Sequence, residues 1–193
     1  MWIDGHEYTL LRDYDKSKYQ HLSFNGKVTY LSARVELILL RPCKSAMSAA
    51  AVEDGGTGLI LTTGICAMIS AASTFLKGTQ TSGQDKQAFL EFIGKYMPCL
   101  NDTIRSLGIT WAEWLYRDVR CGLAHGFTIE RGGIENGLNY LEETQHGPEI
   151  SLSRLLEDFA KGWSNYLADV ERDGPNNGLG QLFQRRFDEV FHD

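Results

Sequence analysis

The sequence predicts an all-α protein, a helical bundle with one small β-hairpin. Three observations lead there. Apolar residues recur at helical spacing over most of the chain, proline and glycine clusters divide it into pieces of helix length, and alternation of apolar and polar residues is confined to residues 127–143. The 193 residues, 42% hydrophobic and 23% charged, suffice for one domain with a proper core. No repeat and no linker divides the chain, so residues 1–27 read as an irregular N-terminal arm and residues 28–193 as a single helical domain.

The arm mixes aromatics and charges without a sustained period. From Val28 a helix is expected, with Leu31, Val35, Ile38 and Leu39 on one face; Pro42 ends or kinks it, or opens a second helix running through PCKSAMSAAAVE. DGGTG at residues 54–58 reads as a loop. Gly55 to Leu76 carries no charge, and a membrane span needs roughly 20 such residues. Its glycines, serines and threonines, and the lack of flanking basic clusters, favour instead a helix buried all round, with Gly64, Ala67, Ala71 and Ala72 admitting a close neighbour or a second copy.

Asp85 opens a further helix with Phe89, Phe92, Ile93 and Tyr96 at core spacing, and Pro98 stops it. Thr110 and Glu113 fit a capping box at the start of TWAEWLYRDVRCGLAH, and Gly126 is placed to end that helix in the left-handed region. The hairpin is expected to turn at the Gly132-Gly133 pair and at Asn136-Gly137. Leu152, Leu155, Leu156, Phe159, Trp163, Tyr166, Leu167 and Val170 form the strongest helical stripe, and a last helix carries Leu182, Phe183, Phe187, Val190 and Phe191. Glu142 and Glu143 read as solvated.

A net charge of −6 excludes a protein that coats nucleic acid nonspecifically, since that mode needs many phosphate contacts; any such contact must be local. Cys43, Cys66, Cys99 and Cys121 are far apart with no CxxC pair, and the opening residues show no basic-then-apolar leader, so a cytoplasmic protein with free thiols is expected.

The chemistry-bearing stretch is LYRDVRCGLAHG, residues 115–126. Arginine presents a planar charged fork suited to phosphate, and histidine exchanges protons near neutrality. Arg120 and His125 lie five positions apart, about 140° on an ideal helix, so they converge only if the last turn unwinds or a second copy supplies the partner. Arg117 reads as an auxiliary phosphate contact or as half of a surface pair with Glu113. The bland account is a helix-end arginine with an acidic partner and a helix-end histidine.

Arg120 and His125 meet an R-x4-6-H motif late in a helix, preceded by an apolar helix and followed by a short hairpin. In this the chain resembles the HEPN superfamily (higher eukaryote and prokaryote nucleotide-binding), over about Gly58 to Asp169 by order of elements. The resemblance implies a homodimeric helical bundle and a metal-independent endoribonuclease without cofactor, with Arg120 and His125 catalytic at a cleft between subunits and a 2′,3′-cyclic phosphate as product. Cys121 stands where the family typically has a polar residue after the arginine. The alternative is a non-catalytic HEPN-like module that binds a nucleotide or a protein partner. The two readings divide on whether Glu113 and Asp118 neutralise the arginines.

Overall fold

In the computed structural model, which describes residues 2–7, 16–48, 56–126, 128–135 and 139–192, helices build the body and a small sheet flanks it. The described parts of the arm are a two-stranded antiparallel pair, β1 (Trp2–Ile3) and β2 (His6–Glu7), and a 3-10 turn at Lys16–His21. They are not merely laid over the domain, because Ile3, Tyr19 and Leu22 are buried.

The first helix, α1 (Phe24–Val35), starts four residues before the expected Val28. Ser23 caps it, its hydroxyl accepting from the Gly26 N–H at 3.0 Å, while the Asp4 carboxylate accepts the Ser23 N–H at 2.7 Å. Pro42 neither ends this helix nor opens a separate one. The ladder widens into a π-helical turn at Glu36–Leu40, where the Arg41 N–H donates to the Glu36 carbonyl, and then runs on as α2 (Arg41–Ser48). Proline lacks the amide and its ring crowds the carbonyl four residues back, and a wider turn relieves both conflicts.

The uncharged helix, α3 (Gly56–Lys77), is long and apolar enough to cross a membrane, and 56% of its most apolar window is buried inside the structure. It packs along α4 (Asp85–Tyr96), α7 (Leu152–Asp173) and α8 (Gly178–His192). The expectation of burial all round is corrected: Ile60 is 73% exposed, and Thr63, Ala67 and Ala71 continue an open stripe. Leu61, Ile65, Met68, Ile69, Ala72 and Phe75 face the core.

The aromatic face of α4 and the whole stripe of α7 are buried as their spacing predicts. Gly162 lets those two helices touch, since a Cβ there would stand 2.7 Å from the Tyr96 carbonyl oxygen. On α8, Phe183 and Phe187 are fully buried but Val190 is 40% exposed. Lys27 of α1, itself buried, donates to Asp188 of α8 at 2.6 Å.

Between α4 and α7 lie a 3-10 turn (Pro98–Asn101), the pair β3 (Thr103–Ile104) and β4 (Ile109–Thr110), and the helix that carries the motif. Three strands follow: β5 (Gly133–Glu135), β6 (Leu141–Thr144) and β7 (Gly147–Ser151). The hairpin differs from expectation. It joins β6 to β7 and turns at Gln145-His146, whereas β5 pairs parallel with β7, giving the order β5-β7-β6. Asn136-Gly137 falls outside the described residues. Gly132 and Gly147, both at positive φ, let the chain entering β5 lie against the start of β7. Glu143 is not simply solvated, because its carboxylate accepts the backbone N–H groups of Arg105 (2.8 Å) and Ser106 (2.9 Å) and fastens the β3–β4 turn to the sheet.

Candidate functional site

The motif helix opens as α5 (Trp111–Trp114) with the predicted capping box: the Thr110 hydroxyl accepts the Glu113 N–H and the Glu113 carboxylate accepts the Thr110 N–H. It then widens into a second π-helical turn, Leu115–Arg120, and closes as α6 (Cys121–Gly126). The sequence contains a cause for that widening. Trp111, Leu115, Val119 and Leu123 are buried in steps of four, and on a pure α-helix such a row drifts about 40° per step. A turn closed five residues back, as when the Cys121 N–H donates to the Tyr116 carbonyl, keeps the row facing the core.

Gly126 does not take the left-handed role expected of it. It belongs to α6 and has no positive φ; the end is closed by the Thr128 N–H, which reaches the Gly122 carbonyl at 3.4 Å. Residues 128–131 therefore fold back over the helix. The Glu130 N–H donates to the Asp118 carbonyl at 3.3 Å, and the Trp114 indole donates to the Arg131 carbonyl at 2.7 Å. Gly122 is what permits this, because the Thr128 carbonyl occupies the place where a Cβ would stand.

Two of the arginines now have different surroundings. Arg117 is held by Asp118, which is 1% exposed, through Nε at 2.9 Å and Nη2 at 3.0 Å, and Arg131 reaches the same carboxylate at 3.3 Å. The Asp118 hydrogen bond holds Arg117 protonated beyond its ordinary range. Arg117 is thus paired with Asp118, and Glu113 serves the cap. Arg120 is half-buried with no carboxylate at ion-pair distance among the described residues. Its guanidinium lies over the Tyr116 ring, 5.4 Å from the centroid, and Nη1 is 4.0 Å from Cys121 Sγ. Tyr116 is braced in turn by Phe89, with ring centroids 5.2 Å apart. Beneath lies Cys66 of α3, whose thiol is pushed up to about 12 by burial, against the pull of Arg120.

His125 is exposed in the last turn of α6, and no hydrogen bond joins it to Arg120 or to any other described side chain. One copy of the chain thus holds the two motif residues with no hydrogen bond between them. Of the residues that hold Arg117 and Arg120, Asp118 was among the carboxylates expected to neutralise the arginines, while Arg131 and Tyr116 were assigned no such role. The Arg117-Asp118 adjacency was a local signal; Arg131 reaches the site only through the returning loop, and Cys66 only through helix packing.

Comparison of the chain with protein-family models, with curated proteins and with solved structures finds no match in any of the three.

Proposed function

We propose that the chain is a HEPN-like, metal-independent endoribonuclease acting on RNA at a cleft between two copies, with Arg120 and His125 catalytic and Arg117 a substrate contact. The observation that carries the reading is Arg120: a half-buried guanidinium, propped by Tyr116 and unclaimed by any described carboxylate, which is how a cation kept for a phosphate would be held. His125, exposed and without a described partner, supplies proton transfer. It takes the proton of a ribose 2′-hydroxyl as that oxygen attacks the adjacent phosphorus, the bond to the 5′-oxygen breaks as the imidazolium returns a proton to it, and a 2′,3′-cyclic phosphate and a 5′-hydroxyl result. Arg120 stabilises the charge that grows on the phosphoryl oxygens. The second copy lies against the open, uncharged stripe of α3 and the motif helix, and brings its own His125 to the cleft. The four free cysteines suit the cytoplasm, where thiols stay reduced.

One observation favours a second reading, a non-catalytic module that binds a nucleotide or a protein partner. Asp118 already engages Arg117 through two donors, which lowers the positive field available to a polyanion. The test is cleavage of a mixed single-stranded RNA pool with EDTA present, analysis of the ends for cyclic phosphate, and sedimentation at micromolar concentration. Cyclic ends made by a dimer, and lost in His125→Ala, support the nuclease. Equal trace cleavage by wild type and variant leaves the binding module in front.

A further inference from the structure

Between α7 and α1, with the π-helical turn that continues α1, runs a cleft of about 620 Å³. Side chains at helical spacing form its walls: Thr29, Ser32 and Glu36 on one side, Ser164, Ala168 and Glu171 on the other. Val28, Leu40 and Leu167, all buried, give it an aliphatic floor. Glu36 and Glu171, one carboxylate from each wall, are the only charged residues on the lining. Glu171 has no cation at ion-pair distance among the described residues, because its neighbour Arg172 is turned to Asp169 at 2.7 Å. Glu36 meets Arg41 through one contact at 3.4 Å with both side chains exposed, a pair that an incoming cation displaces at little cost. The wall hydroxyls of Thr29, Ser32 and Ser164 make no hydrogen bond to another described group, whereas those of Thr62, Thr63, Ser73 and Thr74 return to carbonyls of their own helix.

We infer that the α1–α7 cleft binds a linear aliphatic polyamine, its ammonium groups donating to the Glu36 and Glu171 carboxylates and the wall hydroxyls, its methylenes lying on Val28, Leu40 and Leu167. Each ammonium group carries donors and no acceptor, and this lining offers side-chain oxygens and no cation. The aliphatic floor takes the methylenes between the charges, which a metal ion or a bare ammonium would leave uncovered. A volume of this order with a few convergent polar groups is the ordinary make-up of a small-molecule site. No residue of α3 or of the motif helix lines the cleft, so the site is independent of the RNA reading and of the second copy placed there.

The test is equilibrium dialysis of the full chain against spermidine at physiological ionic strength and, separately, against hexylamine, which has one ammonium group. Spermidine is expected to bind and hexylamine to bind far more weakly. Glu171→Gln lowers the spermidine affinity roughly tenfold, and Glu36→Gln lowers it less, since Glu36 is shared with Arg41. Ala168→Phe fills the cleft from an exposed position and abolishes binding. Glu157→Gln removes the same charge from an exposed site on α7 outside the cleft and leaves the affinity unchanged. Absence of spermidine binding at millimolar concentration overturns the proposal, as does equal binding of hexylamine or undiminished binding in Ala168→Phe. An equal loss in Glu157→Gln also overturns it, by reducing the effect to general attraction to a chain of net charge −6. A free chain that sediments more slowly in Ala168→Phe than in wild type would overturn it too, by giving the cleft to a second copy.

Discussion

The buried carboxylate of Asp118 binds its own chain neighbour Arg117 through two hydrogen bonds, and the same carboxylate receives Arg131 from the loop that returns after α6. Removing the carboxylate and removing one arginine therefore differ. Asp118→Ala frees both guanidiniums and leaves the loop held only by the Glu130, Thr128 and Trp114 hydrogen bonds, at a cost of about 2 kcal/mol. Arg117→Ala leaves Asp118 paired with Arg131, and because Arg117 is 45% exposed it should cost under about 1 kcal/mol. Urea unfolding of the two variants measures the difference, and equal losses would mean that Asp118 does not join helix to loop.

Arg120 and His125 should separate activity from stability. His125 is exposed and has no described partner, so His125→Ala is expected to leave the thermal midpoint within a degree or two while cleavage falls roughly 10²-fold or more. Arg120→Lys keeps the charge but loses the planar fork and its stacking on Tyr116, and should recover only part of the activity lost in Arg120→Ala. Full activity in the lysine variant would reduce Arg120 to a point charge.

Two glycines stand where backbone crosses backbone, and both should resist a methyl group. Gly122→Ala drives a Cβ into the Thr128 carbonyl and should displace residues 128–131, costing roughly 1–3 kcal/mol. Gly162→Ala meets the Tyr96 carbonyl at 2.7 Å between two long helices, so the cost falls on the bundle itself and is expected to be at least as large. Hydrogen exchange distinguishes them: the first variant loses protection locally around Glu130, the second throughout α4 and α7.

Glu143 gives a pH dependence with a definite sign. The backbone N–H groups of Ser106 and Arg105 hold its pKa below the ordinary carboxylate range. A group lowered on folding stabilises the native state above its unfolded pKa, and the benefit disappears as pH falls through the folded value. Glu143→Gln should therefore melt earlier than wild type at pH 7, and the two midpoints should converge in acid. A gap that widened in acid would contradict the geometry.

The helical class, the core faces of α4 and α7 and the Thr110–Glu113 capping box were legible because each rests on spacing within one segment. What escaped depends on contacts between segments. The start of α1 at Phe24 is fixed partly by Asp4, 19 residues before Ser23, and the hairpin turn moved to Gln145-His146 because β7 pairs on both edges. The opening of α3 along Ala67 and Ala71 escaped for a different reason, since absence of charge says nothing about which side has a neighbour. At the candidate site, Arg120 and His125 could be named from sequence and Asp118 raised as a neutralising carboxylate, but that Asp118 also receives Arg131 and that Arg120 is braced by Tyr116 required the structure.

The widened turn at Leu115–Arg120 makes segment length a variable separate from motif spacing. A helix that closes five residues back accommodates an added residue without being broken, and deleting one there would return it to ordinary pitch. Six residues at the wider pitch turn the chain about as far as five at the ordinary one, so His125 would keep nearly its direction relative to Trp114, and Arg120 and His125 would still be five positions apart. A single-residue deletion inside the widened turn thus leaves the motif and its direction intact, whereas the same deletion in an ordinary helical stretch would swing everything beyond it by about 100°.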